Sequence, residues 1–246
     1  MNRRLISVLT ATLLCLTALP WTAPLKARPV SEESTTGTRP LADRFDPSST
    51  DIKPEVLRLA TSAVECAIAS GDIEQPSTLT VIDYSRASID PRLWVFDLSS
   101  GKLLFRELVA HGRNTGDNLA TRFSDELNSR QTSLGLFRTG DTYVGSNGYS
   151  LRLDGLEPGF NGHARDRAIV MHGAPYVDAK LGAAQGRIGR SWGCPALREG
   201  IAREVIDTIR GGGVIFAYYP DANWLKHSRF LIDECKSKSN GQRTNT

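Results

Sequence analysis

One stretch of this 246-residue chain concentrates side chains able to do covalent chemistry: residues 169–198, IVMHGAPYVDAKLGAAQGRIGRSWGCPALR. An apolar run delivers His172 at its end, with Gly173 next. A connection rich in glycine (Gly182, Gly186, Gly189) leads to Ser191, Trp192, Gly193 and Cys194, followed by Pro195. A cysteine attacks as its thiolate, yet a free thiol of pKa ~8.5 is mostly protonated at neutral pH. A neighbouring imidazole can take that proton. Gly193 permits backbone angles that a side chain forbids and lets an acyl group approach closely. The N–H groups around Cys194 can then face a developing oxyanion, where the loss of one donor costs ~100–1000-fold in rate. Ser191 is a short hydroxyl suited to orienting the thiol or a substrate carbonyl. The pattern predicts a cysteine nucleophile at 194 with His172 as general base. A helix is expected from Ile201; a start nearer Pro195 would add its dipole to the thiolate's stabilisation.

Each residue also has an ordinary reading. A lone cysteine beside a helix is usually a small core residue, and a histidine ending a strand is usually structural. Other chemistries fit less well. A zinc site from His163, His172, Cys194 and Cys235 lacks any C-x-x-C or H-x-x-x-H pairing, so neither metal nor cofactor is expected. His111 and His163 read as structural or loop residues. There is no G-x-S-x-G elbow and no phosphate loop. The histidine precedes the cysteine, the reverse of the papain-like order.

The chain ends sharpen this reading. Asn2, Arg3 and Arg4 precede an apolar run, Leu5 to Leu19, broken by Pro20 and followed by small residues. That is the layout of a secretory signal peptide, expected over 1–27; the run is shorter than the ~20 residues of a membrane span. Of four cysteines, Cys15 would leave with the signal. Three would remain, an odd number in an oxidising compartment, which points to an intermolecular partner or a working thiol. Cys66 and Cys235 could pair and leave Cys194 free, but sequence does not decide that geometry. The net charge of +3 and a pI near 8.7 are too mild for nucleic acid.

The elements that must position these residues follow from periodicity. Residues 28–50, rich in Ser, Thr, Pro and charge, read as a flexible linker. A catalytic domain is expected over 51–235, with its core over about 79–220, and a disordered tail over 236–246. Ser48 to Asp51 offer N-caps, Pro54 suits a first turn, and Val56, Leu59, Ala60, Ala63, Val64, Ala67 and Ile68 form an amphipathic helix ended by Gly71. Strands are expected over 79–84, 93–98, 103–110, 134–138, 149–153, 168–172 and 214–219, the second and third as a hairpin. Residues 114–132 read as a long loop. Ile201, Val205 and Ile209 mark a short helix.

His-Gly, a glycine-rich connection and Ser-x-Gly-Cys resemble the catalytic signature of the L,D-transpeptidases with a YkuD-type domain. The resemblance covers roughly 79–220 and includes the hairpin around 93–112, the Ser133-Leu134-Gly135-Leu136-Phe137 segment and the strand 214–219. The Ser-Trp-Gly-Cys-Pro-Ala form is similar to a divergent branch typical of Gram-negative bacteria. What the resemblance implies is a mainly β catalytic domain, a β-sandwich or barrel, with an N-terminal helix and a short helix after the cysteine. It implies a periplasmic enzyme acting on peptidoglycan stem peptides. Cys194 would attack the carbonyl of the third stem residue, a diamino acid, expelling D-Ala; an amine of a neighbouring stem would resolve the acyl-enzyme. His172 would be the base, oriented by the Gly173 carbonyl. The N–H groups of Gly193 and Cys194 would form the oxyanion hole, supported by Ser191. Two departures stand out. Trp192 occupies the usual histidine position, and Pro195-Ala196 replace an aliphatic residue and arginine. Arg187, Arg190 or Arg198 could substitute for that arginine as bidentate carboxylate partners, with Trp192, Arg187 and Arg190 on the substrate side; solvated loop charge is the plainer reading of the arginines. The long connection from His172 to Cys194 suits a lid. The alternatives are an L,D-carboxypeptidase or peptidoglycan hydrolase using the same pair, a catalytically dead peptidoglycan-binding module, and a sortase-like enzyme, for which Arg198 lies too near a helix.

Overall fold

Pro54 starts the first helix, α1 (Pro54–Ala69), because its missing N–H falls where no helical acceptor exists and it forces Lys53 into extended backbone (φ −63°, ψ 128°). Val56, Leu57, Ala60, Ala63, Val64 and Ala67 are all buried along one stripe. The helix ends in a Schellman motif: Gly71 sits at φ +77°, the Gly71 N–H donates to Ile68 and the Asp72 N–H to Ala67. The expected side-chain cap is absent. Asp51 is used elsewhere, accepting from Arg86, Arg106 and the Trp94 indole N–H, and the Arg106 guanidinium foremost holds its carboxyl well below the usual range.

The computed structural model describes residues 40–46 and 50–232, which fall in one unit, Gly37–Thr246. The expected signal peptide, most of the expected linker and the expected tail lie outside the described residues. Eight strands form one sheet: β1 (Thr78–Asp83), β2 (Leu93–Asp97), β3 (Leu103–Glu107), β4 (Gly135–Gly145), β5 (Gly148–Gly155), β6 (Val170–Gly173), β7 (Ala196–Leu197) and β8 (Val214–Tyr218). Their spatial order is β3-β2-β1-β8-β4-β5-β6-β7. β1–β8 and β6–β7 are parallel and the other pairs antiparallel. Beyond β3 the chain reaches β7: Ala110 bridges Ala196, its N–H donating at 2.8 Å. The two edges of the sheet therefore meet at this bridge. The mainly β barrel-like architecture agrees with the expectation, as do the expected hairpin, the N-terminal helix and the short helix after Cys194.

Two cores flank the sheet. α1 packs Val56, Ala60, Val64 and Ala67 against Leu79, Val81, Val214 and Phe216 on one face. On the other, α3 (Glu199–Ile209) sets Ala202, Val205, Ile206 and Ile209 against Ile82, Val95, Leu151 and Met171. Leu41 and Phe45, read in sequence as linker, join the first core at 4% and 5% exposure. Their flanks are polar, so no periodicity marked them. β4 runs seven residues past the expected Arg138 because its outer part pairs with β5 across a turn at Gly148 (φ +70°). Four short elements were not anticipated, the first a 3-10 turn at Leu41–Arg44. α2 (Ala179–Gln185) is capped by Asp178 and closed by Gly186 at φ +73°; α4 (Ala222–His227) is capped by Asp221; β7 has two residues. The helix after the cysteine starts at Glu199, with β7 in between, so Cys194 does not lie in its first turn.

Candidate active site

β6 and β7 place the two expected reactive residues side by side. His172 pairs in register with Ala196, and Cys194 lies two residues upstream of that partner. The sulfur of Cys194 receives the backbone N–H of Val170, two residues before His172. Both side chains are buried, His172 at 4% and Cys194 at 8% exposure. Nδ1 of His172 is 2.9 Å from the Gly173 carbonyl oxygen. A carbonyl only accepts, so Nδ1 carries the hydrogen and Nε2 keeps its lone pair. Gly173 is hemmed in by α3: a Cβ there would sit 3.0 Å from the Ala202 Cβ and 3.3 Å from the Glu199 Cα. In the resting geometry the thiol hydrogen bonds to the Ala168 carbonyl (3.7 Å), not to the imidazole.

The turn bearing Cys194 is fixed on three sides. Ser191 bridges Gly112; its N–H donates to the His111 carbonyl at 2.9 Å and its own carbonyl accepts from Arg113 at 2.8 Å. Its hydroxyl donates to the Cys194 carbonyl (2.6 Å) and accepts the Gly193 N–H (3.1 Å). Thr132 accepts the Gly112 N–H at 2.9 Å and donates to the Gly193 carbonyl at 3.2 Å. Gly193 adopts φ +128°, and a Cβ there would lie 2.8 Å from the Gln131 carbonyl oxygen. Glycine is therefore required at 193 by both conformation and space. Of the two expected oxyanion donors, the Gly193 N–H is occupied by Ser191, and the Cys194 N–H faces its own sulfur.

Burial is the first cause of both shifts at the pair. It pushes the Cys194 thiol up, against the Val170 N–H and the charge of Arg167, and it pushes His172 down, against its bond to Gly173. The resting pair is thus biased toward thiol and neutral imidazole.

The arginines expected on the substrate side are otherwise engaged. Arg198 forms a bidentate pair with Glu107 (2.9 and 2.7 Å). Arg190 bonds Asp117 and the Gly116 carbonyl, and Arg187 lies 3.4 Å from the same Asp117. Trp192 is 68% exposed beside the turn. The cation set against the thiol is Arg167, its side chain only 3% exposed. It donates to the carbonyls of Ser124 (2.7 Å) and Gln131 (2.6 Å) and to the hydroxyls of Ser129 and Ser133. Sequence gave no cue to it, because it lies 27 residues before Cys194 in a polar turn. Tyr176 was likewise not singled out in the sequence, while His111, read there as structural or loop, is deeply placed. Tyr176, packed against Gly189, has its phenol raised to about 12 by burial and by the Cys194 charge. His111 is fully buried, with Nδ1 2.7 Å from the buried Arg92 guanidinium; burial first, then that charge, lowers it to about 4. The described residues contain no group of three or more His, Cys, Asp or Glu able to hold a metal.

Cys66 is disulfide-bonded and Cys194 is free. The Arg229 carbonyl passes 3.8 Å from the Cys66 sulfur, six residues before Cys235.

Residues 48–218, well over half the chain, match the model of the L,D-transpeptidase catalytic domain. The chain belongs to that family. A search of curated proteins finds no significant match. Solved structures similar to this L,D-transpeptidase-family chain include an L,D-transpeptidase from Mycobacterium smegmatis, 15% identical, with 58% of this chain and 59% of that one covered and a TM-score of 0.38. Another is L,D-transpeptidase 1 of Mycobacterium tuberculosis (16% identical, 58% and 62% covered, TM-score 0.33). A third is the helical cell shape determining protein Pgp2 of Campylobacter jejuni (13% identical, 66% and 57% covered, TM-score 0.36). The chain spans less than two thirds of the length of these solved proteins. No helix among the described residues is long and apolar enough to cross a membrane.

Proposed function

We propose that this chain is a periplasmic peptidoglycan L,D-transpeptidase, exported by the signal peptide read over residues 1–27. The observation that carries the proposal is a free, buried Cys194 next to a histidine whose Nδ1–H is committed to the Gly173 carbonyl, within a domain of this family. Nε2 of His172 takes the thiol proton as Sγ attacks the stem-peptide carbonyl. The C–N bond to the terminal residue breaks, and the departing amine carries that proton away. The thioester is then attacked by an amine of a second stem, which yields the crosslink and returns the proton to sulfur through His172. The Cys194 N–H, which faces its own sulfur at rest, turns to the developing oxyanion as the sulfur moves onto the carbonyl, and the Gly193 N–H joins it when released by Ser191. His172 needs no carboxylate, since the Gly173 carbonyl orients it.

The test is incubation of the purified protein and of Cys194→Ala with muropeptide tetrapeptides, read by mass spectrometry. Dimers or amino-acid-exchanged products from the wild type alone are expected. Tripeptides alone would replace the proposal with an L,D-carboxypeptidase or hydrolase, and no product from either protein would favour a binding module.

A further inference from the structure

Beside the cysteine turn lies an open cavity of about 490 Å³. It adjoins the thiol, for Ala168, whose carbonyl accepts the Cys194 hydrogen, forms part of its wall. Its most conspicuous side chain is Trp192, 68% exposed where Trp94 and Trp224 are fully buried. The Arg130 guanidinium lies 4.7 Å from the centroid of the indole and so covers one face, holding the ring as a fixed plate with the other face open. Around it stand Asn114, Asn128, Asp166 and the apolar Leu127. The side chains of Asn128 and Asp166 make no hydrogen bond among the described residues, so their planar acceptor and donor groups are available to a ligand.

The backbone points to the same place. Among the described residues, the non-glycine positions with positive φ are Asn128 (59°), Arg130 (54°) and Ala168 (52°), and all three line this cavity. Left-handed backbone in side-chain-bearing residues is unfavourable and gathers where function holds it. Here it sets the plate and its polar rim.

A flat apolar face ringed by amide and carboxylate groups complements a pyranose, whose axial C–H bonds form an apolar face and whose hydroxyl and acetamido groups project around the edge. A peptide in extended form would instead seek a free sheet edge, and this wall is made of side chains. We infer that the cavity is a subsite for the N-acetylated amino sugar of the glycan that carries the stem peptide, with Trp192 and Arg130 as its specificity-determining pair. This rests on the proposed action on peptidoglycan and deepens it.

The direct test is fluorescence titration of the full chain with the trimer of N-acetylglucosamine, which contains no stem. A saturable emission change is expected for the wild type. Arg130→Ala should weaken the midpoint about tenfold, since the ring loses its backing, and Trp192→Ala should abolish the change. No saturable change, or binding of free diaminopimelic acid in its place, overturns the inference. A second measurement compares turnover of a disaccharide-tetrapeptide with that of the free tetrapeptide. A preference of about tenfold in kcat/KM for the disaccharide form is expected in the wild type, falling to near unity in Trp192→Ala. Turnover without preference refutes the sugar subsite and leaves transpeptidation standing. Trimer binding without turnover of either stem supports the subsite and refutes transpeptidation.

Discussion

Arg167 joins stability and reactivity in one side chain, and the two contributions can be separated. Replacing it with methionine keeps most of the volume and removes the guanidinium. The carbonyls of Ser124 and Gln131 and the hydroxyls of Ser129 and Ser133 then lose their donor where the side chain was 3% exposed, and Asp125 loses a cation 3.8 Å away. Breaking a buried charged partnership of this kind costs about 3–5 kcal/mol. In a domain of this size that lowers Tm by about 10 °C or more. The same change removes the charge that holds the Cys194 thiol down against burial. The midpoint for alkylation of Cys194 by iodoacetamide, followed by intact mass over about pH 6 to 10, should therefore move up. Cys66 is disulfide-bonded and does not interfere. Arg167→Lys keeps the charge but not the fork; its Tm should fall with a much smaller change in midpoint. A folded Arg167→Met with an unchanged alkylation midpoint would refute the electrostatic argument.

Gly193→Ala should cost about 2–4 kcal/mol, because its Cβ meets the Gln131 carbonyl and Ile169 at a φ of +128°; urea unfolding measures this, and a loss under about 0.5 kcal/mol would mean the turn relaxes freely. His111 should make the fold acid-sensitive. The folded chain holds it neutral, with a pKa of about 4, while the unfolded chain binds its proton near the ordinary value of 6.5. Stability from this group is therefore complete above about pH 6.5 and is lost as pH falls toward 4, a total of about 3 kcal/mol. Urea midpoints across that window should fall steeply in the wild type and flatten in His111→Gln; equal slopes would refute the assignment.

Much of the frame was legible because it rests on local patterns. The stripe from Val56 to Ala67, the apolar runs that become β1, β2 and β8, and the stop at Gly71 each follow from period and turn chemistry. His172 and Cys194 were paired for a different reason, from residue type and the His-Gly and Ser-x-Gly-Cys signature; the two-residue strand β7 that sets Cys194 beside β6 was not anticipated. The support of the turn was not legible. Thr132, Arg167 and His111 support the turn around Cys194 through hydrogen bonds to Gly193, Gln131 and Ser191 that span 36 to 80 residues of sequence, and nothing in their own neighbourhoods marks that role. Leu41 and Phe45 were misread for the same reason, being isolated apolar residues whose partners lie across the fold. Arg187, Arg190 and Arg198 were chosen for closeness in sequence, yet Asp117 and Glu107 hold them.

The timing of proton transfer follows from the directions of the two shifts. Burial raises Cys194 and lowers His172, so each change opposes a resting thiolate–imidazolium pair. The thiol hydrogen in fact rests on the Ala168 carbonyl. A nucleophile stored this way spends little time as a thiolate and resists casual oxidation. Attack then requires that sulfur leave Ala168 and pass its proton to Nε2 as the new C–S bond forms. Acylation of Cys194 by a carbapenem should accordingly be slower in deuterated water. It should also rise with pH along a single step assignable to the His172–Cys194 pair as a unit. A rate equal in the two solvents would mean that the ion pair forms before attack, and that substrate binding reverses the effect of burial at both residues.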